Sequence, residues 1–364
     1  MFGLFRAPNQ ADRKPGLDLI RGLAIFLVLL RHAGVLGGAG IVGVVMFFAL
    51  SGYLITGLLI RSLGETGRID YRRFYLHRAF RLIPALVFML AIWAAIEAVW
   101  NPLGDRPKIG RSLFTALTYT ENIPGFDHGS INLSHLWTLA TEEQFYLLWP
   151  LVLTLGVRFG KTRLFTLLSL VAILGACVAS IILVYPLTYK VYTLPTSWMA
   201  AMLIGAAAKL GEARLDRIIK GRRRVVAGIS LAALMIISVA PEMKDWPGAY
   251  FLIGPLVAIG SVGLIFELKS WQTLPSKWLK PMLNLGMISY AAYLWNYPIV
   301  NWIGNPPRNM AEGLATISLT LIAAIVSWYL IERPAANLRN IIDRRKADRL
   351  AATPKPKRAA STMT

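Results

Sequence analysis

Among the residues able to move protons, His32, Glu142 and Glu143 stand out because each lies inside a run of otherwise apolar side chains. A neutral imidazole can take a proton from a hydroxyl through one ring nitrogen while a partner, usually a carboxylate, holds the other. A second set could recognise anions. Arg21 stands eleven positions before His32, and Arg72, Arg73, Arg78 and Arg81 fall within ten positions of one another. Arg78 and Arg81 are three apart, hence neighbours on one helical face and able to fork onto a phosphate group. The bland alternative is that these arginines only anchor a loop at the inner membrane surface. The four histidines, His32, His77, His128 and His135, are scattered along the chain, so no metal site is expected.

The element that must position His32 is residues 17–36, LDLIRGLAIFLVLLRHAGVL. About 20 mostly apolar residues cross a bilayer, and ionisable groups within such a run are costly enough to mark functional positions. Eleven helical steps return to within about 20° of the same face, about 16 Å further along the axis, so Arg21 and His32 share one stripe. Glu142 and Glu143 lie seven or eight residues inside a span that starts near His135, at a depth matching His32. The expectation is an acid–base pair in which a glutamate orients a neutral, proton-accepting His32. A lone histidine in an apolar helix is usually structural; the matching glutamates and Arg21 argue for function, because each uncompensated charge there costs several kcal/mol. Asp18 is expected to pair with Arg21 three residues on. Ser51 and Gly52 inside the second span suggest close helix packing, with Ser51 also a candidate for chemistry.

At 364 residues, 55% hydrophobic and 16% charged, the chain belongs to the polytopic membrane class. Spans are expected at about 17–36, 41–60, 82–100, 135–157, 164–184, 193–208, 225–240, 249–266, 282–303 and 312–331, making an all-α bundle of ten transmembrane helices. The +20 charge does not imply nucleic acid, because the basic residues concentrate in alternate loops. Of the 39 Lys and Arg, 32 fall on the side of the N-terminus and 7 on the other, which predicts that both termini are cytosolic. Residues 1–16 are read as a cytosolic segment, 17–334 as one membrane domain, and 335–364 as a basic, disordered tail. The first apolar run shows no small-residue cleavage site and is expected to be retained. The connection 101–134 is long enough to be a structured cap or re-entrant segment. Cys177 is the single cysteine and forms no intrachain disulfide. A transporter or glycan flippase that relays protons through His and Glu competes with an enzyme, but it predicts inverted repeats, which the sequence lacks.

Six stretches in order resemble acyltransferase family 3, the bacterial membrane O-acyltransferases of surface glycans. They are LDLIRGLAIFLVLLRHAG, GVVMFFALSGYLI, RFYLHRAFRLIPA, HLWTLATEEQFYLLWP, ISYAAYLWNYP and IERP. The resemblance covers 17–334, although 160–280 matches only in hydropathy. It implies a multi-pass protein of the inner membrane that takes an acyl group, most simply acetyl, from cytosolic acetyl-CoA and delivers it to a glycan or glycolipid hydroxyl. It further implies His32 as catalytic base, Arg21 as its motif partner, Glu142 as an essential carboxylate, and Arg78 and Arg81 as the CoA-linked pair, with Arg72 and Arg73 beside them. Ser51, Tyr146, Asn296 and His135 are candidates for acceptor binding or an oxyanion donor, and Trp137 or Tyr293 for stacking on a sugar. This sequence departs from its relatives at Val45, where they frequently carry an acid, and at Asn296, where they carry a histidine. Some relatives continue into an extracytoplasmic hydrolase-like domain; this chain is expected to transfer its acyl group without one.

Overall fold

The computed structural model describes residues 14–124 and 129–352, and among these the chain is helical with no strand. The N-terminal arginines Arg6 and Arg13, His128, and residues 353–364 lie outside the described residues. Each of the ten apolar runs falls on helix, nine on one continuous stretch and 282–303 on two. Helix α1 is Pro15–His32, α2 Ala39–Thr66, α3 Tyr71–Val99, α4 Ile109–Thr118, α5 Trp137–Arg158, α6 Thr162–Val184 and α7 Pro195–Leu210. After the short α8, Glu212–Ile218, come α9 Arg223–Val239, α10 Gly254–Leu268, α11 Lys280–Met287, α12 Ser289–Ile303, α13 Met310–Ser327 and α14 Arg333–Ala352.

Among the described residues, five helices are long and apolar enough to cross a membrane: Ala39–Thr66, Tyr71–Val99, Thr162–Val184, Ala249–Leu268 and Met310–Arg345. The remaining apolar runs form helices that are short, broken or charged. Thus α1 carries Asp18, Arg21 and Arg31, α5 carries Glu142 and Glu143, and the run at 282–303 breaks at Ile288 into α11 and α12. An outward belt of large apolar side chains, including Leu167, Leu183, Ile236, Ile259 and Ile322, is the surface such helices present to lipid.

Helix α2 forms the centre, packed by α1, α7 and α10. Glycine sets the closest approach. A Cβ on Gly52 would stand 1.9 Å from the Met202 carbonyl oxygen on α7, and one on Gly205 would stand 2.0 Å from the Ala49 oxygen on α2. Van der Waals contact is the main attraction between helices in lipid, so this backbone-on-backbone seam fixes α2 against α7.

Three boundaries differ from the sequence expectation. The arginine-rich stretch 61–81 is no loop: α2 runs to Thr66 and α3 starts at Tyr71, because Asp70 caps it by accepting from the Arg73 amide at 3.0 Å. The cap expected over 101–134 contains α4 and a 3-10 turn, Ile131–Leu136, which holds His135 just ahead of α5. Helix α14 continues through 335–352, where disorder was expected, because the helix of α13 passes without a break through a π turn at Trp328–Glu332.

Candidate functional site

Helix α1 carries two groups that belong to two separate clusters. His32 is its last residue. The imidazole Nδ1 of His32 meets Oδ1 of Asn296 on α12, and Asn296 Nδ2 donates to Thr320 Oγ1 on α13 at 3.2 Å. With the amide nitrogen engaged by Thr320, the amide oxygen faces the ring and can only accept. His32 therefore carries its proton on Nδ1 and keeps a lone pair on Nε2.

Aromatic rings complete this cluster. The Tyr297 ring lies 5.4 Å from His32 and 5.2 Å from His135, between the two imidazoles. His135 is buried; its Nε2 donates to the Leu294 carbonyl at 3.2 Å, and the Tyr293 hydroxyl donates to its backbone oxygen at 2.9 Å. At the rim, Arg31 donates to Glu242 at 2.9 Å. Burial pushes the Glu242 carboxyl up, but Arg31 and Lys244 outweigh it and hold the group below the usual carboxylate range.

The second cluster lies about 16 Å back along α1, at the depth of Arg21. Arg21 pairs with Asp18 at 2.6 Å, as expected. Arg78 donates to Glu143 at 3.0 Å and lies with its guanidinium carbon 3.4 Å from the centre of the Tyr146 ring. The Tyr146 hydroxyl bonds Ser51, whose hydroxyl also lies beside the Glu142 carboxylate. Arg81 stands in the electrostatic field of Arg21, Arg78 and Glu142, and Glu332 from the π turn stands in that of Arg81. Like charges this close require the interleaved carboxylates, which explains why three arginines and three glutamates share one region.

The expected His32–Glu142 pair does not form. Glu142 sits with Ser51, Arg78 and Arg81, whereas Asn296 holds His32. The expected match in depth does not hold: Glu142 lies in the Arg21 cluster, and α5 turns its glutamates toward Ser51 on α2 and Arg78 on α3. Arg72 and Arg73 are exposed at the start of α3 and do not join Arg78 and Arg81. Trp137 is buried with its ring against Phe48, Tyr192 and Trp198, so it offers no open face to a sugar. Val45 is fully buried in α2. Tyr297, Thr320 and Glu332 were not singled out from the sequence. Tyr297 follows Asn296 directly, and Glu332 lies in the closing IERP; Thr320 leaves no sequence signal at all.

His32, Glu142, Tyr290 and Tyr293 are half-buried and Arg81 is exposed, whereas Tyr146 is covered. Among the described residues no group of three or more His, Cys, Asp or Glu side chains is arranged to hold a metal.

The acyltransferase domain family matches residues 14–332. An O-acetyltransferase OatA of Staphylococcus aureus (strain NCTC 8325 / PS 47) is 31% identical over 352 residues, covering 88% of this chain and 57% of that protein. A peptidoglycan O-acetyltransferase OatA of Listeria monocytogenes serovar 1/2a (strain ATCC BAA-679 / EGD-e) is 29% identical over 346 residues, covering 88% of this chain and 55% of that protein. The chain thus spans little more than half the length of these relatives. No solved structure matches it.

Proposed function

The chain belongs to the acyltransferase family whose domain covers its residues 14–332, and from that membership we propose that it is a membrane O-acetyltransferase with His32 as its general base. The donor is acetyl-CoA, presented from the side of the bundle that holds Arg21, Arg78 and Arg81. The acceptor is a hydroxyl of a surface glycan, and the peptidoglycan named for a relative is the first to test. The observation that carries this reading is the contact of Asn296 with His32 Nδ1, which, with the amide oxygen as acceptor, leaves the Nε2 lone pair for a substrate proton.

Proton and electron accounting is simple. His32 Nε2 removes the acceptor proton as the hydroxyl oxygen attacks the thioester carbonyl; the C–S bond then breaks, and the thiolate takes the proton back from the imidazolium. The Asn296 oxygen stabilises that imidazolium through Nδ1–H. Among the guanidinium groups, Arg78 is held by Glu143 and Tyr146, so its part is to position. Arg81 is exposed and is the first candidate to meet the donor's phosphates. The pantetheine arm runs between the two clusters, along the α1 stripe from Arg21 to His32.

This reading includes ten transmembrane helices with both termini in the cytosol of a bacterium, the five shorter or charged helices completing the bundle around α2. Residues 17–334 act as one membrane unit, flanked by 1–16 and the basic segment 335–364. The test is transfer in proteoliposomes that hold radiolabelled acetyl-CoA on one side and muramyl glycan fragments on the other. Label on the glycan is expected; label that stays on CoA, in protein that acetyl-CoA does not stabilise against heat, would overturn the reading.

A further inference from the structure

A separate cavity lies on the lysine- and arginine-rich side of the bundle. The chain reverses at Gly221, whose φ of +79° suits glycine and few other residues, and the turn folds the start of α9 back toward α8. Asp216, Arg217, Lys220, Arg223 and Arg224 from this reversal, together with Glu267 on α10, line a cavity of about 610 Å³. That volume is within the range of small-ligand sites.

Four cations and two carboxylates line the cavity, and the carboxylates are already engaged. Asp216 accepts from Arg223 at 2.8 Å and from Lys269 at 2.8 Å, and Glu267 accepts from the Trp271 indole at 3.3 Å. Arg217 uses its Nε on the Ala213 carbonyl. Lys220 and Arg224 are exposed, and among the described residues no carboxylate pairs with either. Membrane orientation explains why this side is basic. It does not require cations from two helices and their turn to line one concavity while Asp216 is engaged by Arg223 and Lys269.

We propose that this cavity is a binding site for a phosphate-bearing ligand, distinct from the His32 and Arg81 clusters. Lys220 and Arg224, the lining cations with no carboxylate partner among the described residues, match the charge and hydrogen-bonding capacity of phosphate oxygens. Two sources supply that chemistry: the headgroup of an anionic phospholipid, and the phosphates of a soluble nucleotide such as coenzyme A.

Thermal unfolding of the full chain in nanodiscs separates them. In phosphatidylcholine discs, pyrophosphate raises the unfolding midpoint if the source is soluble; replacing part of the lipid with phosphatidylglycerol raises it if the source is lipid. The double variant Lys220→Ala, Arg224→Ala loses two exposed, unpaired side chains and should fold normally. It should need about tenfold more ligand, or more, for the same stabilisation, since a hydrogen bond to a charged group is worth roughly that factor. Lys161→Ala, a cation outside the cavity, should respond like the parent. If no arm stabilises the parent, or the double variant responds as the parent does, the site does not exist. Acetyl transfer is read in a different assay, so failure of the catalytic reading leaves this result intact.

Discussion

Replacing Asn296 by alanine removes the acceptor from His32 Nδ1 and leaves the Thr320 hydroxyl without its amide partner. In the resting protein this is a bond between neutral groups, worth about 1 kcal/mol. As His32 takes the acceptor proton the ring becomes a cation, and the same bond becomes charge-assisted, worth about 1.5 to 3 kcal/mol. Alanine also frees the ring to adopt the other tautomer, with the proton on the nitrogen that must accept. Only the difference, about 0.5 to 2 kcal/mol, bears on kcat, which at about 1.4 kcal/mol per tenfold in rate should fall about 2- to 30-fold, and the lost tautomer preference adds to this. KM for acetyl-CoA should change little, because Asn296 lies in the cluster remote from the arginines. Thr320→Val removes only the outer bond of the chain and should cost less than about fivefold. Single-turnover acetyl transfer at saturating donor, with thermal unfolding as the folding check, reads both variants. A folded Asn296→Ala protein with unchanged kcat, or one whose loss is no greater than that of Thr320→Val, would refute the tautomer argument.

Arg81→Ala should raise KM for acetyl-CoA about tenfold or more through loss of a charge-assisted contact, with KM for the glycan unchanged; equal KM values for the donor would exclude Arg81 from donor binding. Glu121, 5% exposed in the segment after α4, has its carboxyl pushed up to about 7 by burial, against which Thr115 acts weakly. Its folded-state value is above its unfolded one, so the folded protein binds the extra proton and stability falls as pH rises from about 4.5 to 7. Glu121→Gln should remove up to about 3 kcal/mol of that loss, read as a higher unfolding midpoint at pH 8 and a flatter pH profile; an unchanged profile would contradict it. Gly52→Ala places a methyl 1.9 Å from a backbone oxygen that cannot rotate away, and should lower stability by about 3 kcal/mol or prevent assembly, measured by thermal unfolding in detergent.

Hydropathy located the helices of the ten apolar runs, although 282–303 became two, and it gave no sign of α8 or α14. Local pairs were also legible: Asp18 and Arg21 are three residues apart and do form an ion pair. Long-range partners were not. Counting residues from an assumed membrane surface gave neither the level nor the direction of the α5 face: Glu142 lies with Arg78 and Ser51 in the Arg21 cluster, away from His32. The partner that His32 does have is 264 positions away, on a helix that starts afresh after the break at Ile288. Arg78 and Arg81 were rightly taken as neighbours on one face, but the acid that engages Arg78 comes from α5. The loop assigned to 61–81 was an error of weighting. Asp70 ahead of Tyr71 is an N-cap signal, and arginine is a good helix former, so the charge of that stretch obscured its helicity.

The central claim is that His32 removes the acceptor proton during acetyl transfer, and the rate of transfer in a His32→Ala variant tests it most directly. Reconstituted protein with the parent's unfolding midpoint and undiminished acetyl-CoA binding is predicted to transfer no label to the glycan above the protein-free control. Transfer at the parent's rate under those conditions would contradict the account.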